Sequence, residues 1–284
     1  LIVGGQLILR GMLKKLVIAD NLGIMTNEIF GAPSIFASAS TWVAVFAYSI
    51  QILFDFSGYT DMAIGISKII GIDLPQNFNL PYTSQSVTEF WRRWHITLST
   101  WFCAYVFFPM EISRVRKNRP QFLQLFNILI IFLLTGIWHG ASWNFVLWGM
   151  LHGVSIVIER IFHKSQNIKH PLNSFKAWGQ SLLTFVLITL FWIPFRSPDW
   201  VTTIIIIKKL LFVDTTYQIE WYNIWALISV PLIIFGGMVV RRFQWRWPIL
   251  PYQKPYTPAF MLCEALIIFF FSPLNSSPFI YFQF

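Results

Sequence analysis

The chain has 284 residues, of which 56% are hydrophobic and only 12% charged, a balance too apolar for a water-soluble domain, where roughly a quarter of residues carry charge. Its formal net charge of +9 would suit nucleic acid only on one continuous polar face. The Lys and Arg residues instead stand in short clusters between apolar runs, which argues against a nucleic-acid partner and for membrane topology.

Phe, Trp and Tyr supply 18% of the residues, many near the ends of apolar runs, where amphipathic rings settle at headgroup depth and membrane lipid is the solvent. The expected fold class is therefore all-α, a polytopic integral membrane protein. The chain starts at Leu1 without an initiator Met or a signal-peptide pattern, so it is expected to be one membrane-embedded domain, 1–284, lacking an N-terminal portion.

A bilayer core of about 30 Å needs about 20 apolar residues in a helix. In chain order, segments 41–56, 121–138, 143–158, 178–195, 221–240 and 259–271 qualify, the shortest with help from interfacial flanks or local thinning. Between residues 56 and 120, Gly58, Gly65, Gly71, Pro75, Pro81 and Pro109 punctuate shorter apolar pieces. Irregular backbone at membrane depth is tolerated only where protein covers it or water lines it, so this region is expected to form re-entrant helices around a cavity. Segment 200–212 is apolar but holds Lys208 and Lys209, the pattern of a helix lying along the interface.

The basic clusters set the orientation. Arg114, Arg116, Lys117 and Arg119, then Arg160, Lys164, Lys169 and Lys176, then Arg241, Arg242, Arg246 and Lys254 fall in connections expected on the cytoplasmic side. Cys103 and Cys263 lie in apolar surroundings and are expected to be reduced, packed thiols without a disulfide or metal-ligand spacing.

Three features put ionisable groups where lipid penalises them, and such groups usually face a bundle interior or a watery path. The first is Phe90-Trp91-Arg92-Arg93-Trp94-His95. On one helix, Trp91 and Arg92 would share a face with His95; the plain alternative is an interfacial anchor, but His95 leads directly into the apolar stretch 96–108. The second is Trp138-His139-Gly140 at the end of a long apolar run, followed by Ala141, Ser142, Trp143 and Asn144. His139 could simply cap that helix, yet Gly136, Gly140, Ala141 and Ser142 leave room for a neighbouring helix or a substrate.

The third is Asp55 and Asp61, expected to pair with Lys68, Arg92 or Arg93 in a structural role. His152 reads as a structural hydrogen-bonding residue, and His163 and His170 as solvated loop residues. No phosphate-binding glycine loop, HExxH or GxSxG motif occurs, so no bound cofactor or metal is expected.

Taken in order, residues 11–21 (GMLKKLVIADN), 54–64 (FDFSGYTDMAI), 76–102 (QNFNLPYTSQSVTEFWRRWHITLSTWF), 136–153 (GIWHGASWNFVLWGMLHG) and 278–284 (PFIYFQF) resemble the membrane-bound O-acyltransferase family, within it the bacterial alginate O-acetylation branch. The resemblance implies helices around a central tunnel, with His139 as the signature histidine and His95 as the second catalytic one. Trp91, Arg92, Arg93, Trp94, Trp138 and Asn144 are then expected to line the substrate passage.

It further implies acetyl-CoA as donor substrate, a polysaccharide acceptor such as alginate, a periplasmic acetyltransferase partner and a place in the bacterial inner membrane. Hydropathy alone puts His139 near the outer surface, whereas the resemblance puts it along a tunnel. One stretch departs from the branch: after Trp101 and Phe102, Cys103-Ala104-Tyr105 and Pro109-Met110-Glu111-Ile112 replace an Arg-Asp pair, a tyrosine and a Pro-Leu-Gly-Gly turn.

Three other readings stay open at this point. One is D-alanyl or other acyl transfer to a cell-envelope polymer. Another is a transporter gated by the same histidines and acids, although the internal repeat that would mark one is not seen. The third is a non-catalytic scaffold.

Overall fold

The computed structural model describes residues 1–162, 175–213, 219–243, 249–251, 253–274 and 278–280. His163, His170, Lys164, Lys169, Arg246 and the final residues of the C-terminal motif lie outside them. Among the described residues the regular elements are all helices, with a single isolated β-bridge between Phe36 and Ile219. Four helices are long and apolar enough to cross a membrane, Ser38–Ile69, Trp143–Phe162, Phe175–Arg196 and Ile224–Arg242, and two shorter apolar ones are Leu123–Trp138 and Tyr256–Phe271. The expected spans are thus present, several of them longer than hydropathy indicates.

The chain forms two compact units, 1–77 with 205–284, and 78–204. The first opens with α1 (Ile2–Met12), a π-helical segment (Leu13–Ala19) and α2 (Asp20–Gly31). Sequence reading missed these helices because Arg10, Lys14, Lys15 and Asp20 interrupt the apolar run. They pack against α3 (Ser38–Ile69), which corrects the expectation of a broken chain after residue 56. Gly58 and Gly65 do not end the helix; they are its contact points with α1. A Cβ at Gly58 would stand 2.7 Å from the Gly11 carbonyl, and one at Gly65 would stand 2.7 Å from the Gly4 carbonyl. In lipid, where apolar burial gives little drive, such backbone-to-backbone approach is what holds helices together.

The same interface corrects the partners of the buried acids. Asp55 pairs with Lys15 at 2.7 Å and Asp61 with Lys14 at 2.7 Å, while Lys68 turns outward to Asp73 at 2.6 Å. That contact holds the exposed Asp73 carboxyl below the usual carboxylate range, through the Lys68 hydrogen bond and charge. Lys15 also meets Asp20 at 2.7 Å, and the Ile280 amide donates to the second oxygen of Asp55 at 2.9 Å. The structural role expected for these acids holds, with different cations.

α10 (Trp200–Leu210), α11 (Ile224–Arg242) and α12 (Tyr256–Phe271) follow. Lys209 is fully buried and donates to the Ser34 carbonyl at 3.1 Å, whereas Lys208 beside it is exposed. Cys103 and Cys263 are free and exposed, not packed as expected.

In the second unit the longest irregular stretch is the approach to α4 (Val87–Trp91). From Ile96 the chain is helical again: α5 (Ile96–Phe102), a π-helical segment (Cys103–Phe107) and α6 (Phe108–Arg116). The altered stretch after Phe102 therefore continues a helix. Its Glu111 accepts from Arg114 at 3.0 Å and from Asn127 at 2.6 Å. α7 (Leu123–Trp138), α8 (Trp143–Phe162) and α9 (Phe175–Arg196) complete the unit. Gly149 on α8 sits directly under the Phe132 carbonyl of α7, and Gly136 on α7 under the Phe145 carbonyl of α8.

Candidate active site

His139 occupies the C-cap of α7, its amide bonded to the Gly136 carbonyl at 3.1 Å. The next residue, Gly140, has φ of +149°, a backbone region that favours glycine. A Cβ there would also strike the Phe145 ring at 2.8 Å. The chain can therefore reverse within a few residues and start α8 at Trp143. The capping role weighed for His139 is real, but the side chain is buried as well, with 6% of the residue exposed.

The imidazole of His139 lies edge-on to three aromatic rings: Trp138 at 4.9 Å, Trp148 at 4.9 Å and Phe195 at 5.1 Å. Trp148 stacks on Trp192 at 5.7 Å, Trp192 meets Trp94 at 5.1 Å, and Trp94 stacks on Phe90 at 5.5 Å. An unbroken aromatic wall from α8, α9 and α4 thus runs from His139 to the residue preceding His95. The Trp192 indole also donates to the Tyr82 hydroxyl at 3.1 Å, so this polar atom within the wall is satisfied.

His95 does not share a helix with Trp91 and Arg92, which corrects the one-face expectation. α4 ends at Trp91, and His95 takes a left-handed conformation, φ +42°, as the N-cap of α5. A non-glycine residue there is strained and is held only by its surroundings. The Ser99 amide donates to the His95 carbonyl at 3.0 Å and the Ser99 hydroxyl to the Trp94 carbonyl at 3.3 Å. The His95 ring lies 3.5 Å from the Thr97 hydroxyl. Trp94, which immediately precedes His95, belongs to the wall that begins at His139, so one run of aromatic contacts links two histidines far apart in sequence.

The remaining expected residues divide. Trp91 and Trp94 are buried in the wall, and Trp138 is half exposed beside His139. Arg92 is exposed. Arg93 is tied into the protein, paired with Glu89 at 2.9 Å and donating to the Asn79 carbonyl at 3.1 Å. Asn144 is buried, donating to the Ser197 carbonyl at 3.0 Å and accepting from the Thr203 hydroxyl at 3.5 Å. His152 is structural as expected: its Nδ1 accepts from the Trp91 indole at 3.1 Å.

Trp148, Trp192, Phe195 and Glu159 belong to the site's framework and were missed. A signal existed for the first and for His152, which recur at helical spacing with Phe145 along one face of α8. Among the described residues no cluster of three or more His, Cys, Asp or Glu side chains could hold a metal ion.

Comparison with known proteins bears on the whole unit. The model of the MBOAT, membrane-bound O-acyltransferase, family matches residues 28–195. The chain is similar to a peptidoglycan O-acetyltransferase of Helicobacter pylori, 37% identical over 71% of this chain and 37% of that protein. It is also similar to the probable alginate O-acetylase AlgI of Azotobacter vinelandii, 41% identical over 67% of this chain and 36% of that protein. A teichoic acid D-alanyltransferase of Bacillus subtilis is 36% identical over 54% of this chain and 40% of that protein. The matched stretch spans little more than a third of the length of the first two relatives. The family model covers more than half of the chain and includes both histidines and the wall that joins them, and the chain belongs to the membrane-bound O-acyltransferase family.

Proposed function

We propose that this chain is the catalytic part of a membrane O-acyltransferase that moves acetyl groups from acetyl-CoA toward hydroxyls of an extracytoplasmic polysaccharide such as alginate. It works in the bacterial inner membrane, with a periplasmic acetyltransferase as its partner. The observation that carries the reading is the aromatic wall that links His139 to Trp94, the neighbour of His95, in a chain of this family. The names of the relatives, which act on peptidoglycan, alginate and teichoic acid, support a cell-envelope polymer as acceptor.

In this mechanism His139 takes the proton from the acceptor hydroxyl as its oxygen bonds to the acyl carbonyl carbon. The carbon–sulfur bond of the thioester then breaks, and the departing thiolate is protonated, the His139 proton being the one at hand. His95 orients the donor carbonyl, and the wall excludes water that would hydrolyse the thioester. Arg92, exposed beside this stretch, attracts the phosphates of the donor. A positioned general base contributes roughly 10²- to 10⁴-fold.

The test is transfer from radiolabelled acetyl-CoA into extracytoplasmic polysaccharide by membranes carrying the full chain and the partner. Transfer lost in His139→Ala, with insertion intact, is the expected result; transfer unchanged in that variant rejects the role. The similarity to D-alanyltransferases makes D-alanyl transfer the second reading, and a D-alanyl donor in the same membranes separates the two.

A further inference from the structure

The site depends on where α4 places His95, and α4 is too short to hold itself. A five-residue helix has more orphan amide groups than internal bonds. Each of its first amides has an external acceptor. The Glu89 amide donates to the Ser86 hydroxyl at 3.0 Å. The Val87 amide donates to Glu159 Oε1 at 2.5 Å, and the Thr88 amide and hydroxyl donate to Glu159 Oε2 at 2.9 and 2.7 Å. At the other end of α4, the Trp91 indole donates to His152 Nδ1 at 3.1 Å.

Glu159 and His152 are both on α8, seven residues and therefore about two turns apart on one face. α8 also carries Trp148, edge-on to His139, and is locked to α7 through Gly136 and Gly149. One helix thus sets the positions of both histidines. We propose that Glu159 and His152 are positioning residues for the His95–His139 pair, fixing α4 at two points so that His95 meets His139 in reacting geometry. The effect on transfer rests on the reading under Proposed function; the geometric claim does not.

The chemistry at His152 makes the idea sharp. Because the indole donates, Nδ1 must be unprotonated, so the ring proton is assigned to Nε2 by the hydrogen-bond network. Nε2 has no hydrogen-bond partner among the described residues, and the ring lies among Phe90, Phe132, Trp148 and Phe191. Only the Nδ1 acceptor is in use. Asn places its carbonyl oxygen near the position of Nδ1, whereas Gln places its polar atoms near Nε2.

The experiment compares His152→Asn, His152→Gln, Trp91→Phe, Glu159→Gln and the Trp91→Phe/His152→Gln double variant in the full chain. Acetyl transfer close to that of the parent is expected for His152→Asn. Turnover at saturating acetyl-CoA is expected to fall roughly 10- to 100-fold for the others, as sub-ångström to ångström misplacement does, with little change in donor KM. The double variant should be no worse than its worse single variant, because one bond is lost once.

A second measurement does not use activity. With Cys103 and Cys263 replaced by Ser, His95→Cys and His139→Cys are introduced together and joined by a thiol crosslinker. The yield should fall in Trp91→Phe, His152→Gln and Glu159→Gln and persist in His152→Asn. Equal yields in all variants overturn the proposal. So does a His152→Gln protein more active than His152→Asn, or losses that simply track thermal stability. Crosslinking as expected without acyl transfer by the parent chain sinks the functional reading alone.

Discussion

Replacing Lys15 by Met removes the one cation between two buried carboxylates. Lys15 lies 2.7 Å from Asp20 and 2.7 Å from Asp55, with side-chain exposures of 5% and 2%. Breaking a buried ion pair by deleting one partner costs about 3–5 kcal/mol, mostly from the charge left behind. At about 2–4 °C per kcal/mol for chains of this size, melting in detergent should fall on the order of 10 °C. The Phe279 ring packs on the same ammonium at 4.8 Å and the Ile280 amide on Asp55, so the C-terminal segment should also become protease-sensitive. Lys14→Met is the internal control: Lys14 and Asp61 are each 21% exposed, and such pairs contribute about 0–1 kcal/mol. Tryptophan fluorescence melts of the two variants check the argument, and Lys15→Met/Asp20→Asn/Asp55→Asn should recover most of the loss. Equal effects of Lys14→Met and Lys15→Met, or a Lys15→Met protein that melts with the parent, refute it.

Arg92→Gln should raise the KM for acetyl-CoA with turnover little changed, whereas Arg93→Gln, which breaks the tie to Glu89 and Asn79, should lower thermal stability more than donor affinity; steady-state kinetics with melts separate them. Asn144→Leu leaves the buried Ser197 carbonyl without its donor and should cost about 1–3 kcal/mol of stability; a substrate-binding Asn144 would show the opposite, a raised KM at unchanged melting temperature. Gly149→Val drives a side chain into the Phe132 carbonyl of α7 and should abolish accumulation of folded protein in membranes. Gly179→Ala, with nothing within 4 Å of the new Cβ, should be neutral or stabilise by about 0.4–1 kcal/mol, as read by the same melts.

The long apolar helices were legible because in lipid a spanning segment must satisfy its own backbone, and hydropathy reports that directly. The N-terminal helices were not. Lys14 and Lys15 look like a break in an apolar run until their partners Asp61 and Asp55 on α3 are known, and a pair separated by 40 residues in sequence leaves no local periodicity. Gly58 and Gly65 misled for a related reason: in water a glycine inside a helix mainly costs entropy, whereas here both mark the points where α3 meets the backbone of α1.

The site shows the same division between chemistry and placement. His95 and His139 were legible from their motifs, since an imidazole among apolar residues needs a reason to be there. The wall that links them was not, because it is made by rings on three helices, by the left-handed turn at His95 and by Gly140, none of which has a pattern of its own. Even the correct structural reading of His152 stopped at its own hydrogen bond, and the role of Glu159 had no local sign, because the helix it caps is 72 residues earlier in the chain. A short helix without internal stability must borrow its position from a longer neighbour. The residues lending it here are spaced two turns apart on α8, the helix that also carries Trp148 beside His139. Substitutions at Glu159 or His152 that leave the imidazoles of His95 and His139 in place are therefore expected to separate having the two histidines from having them in register.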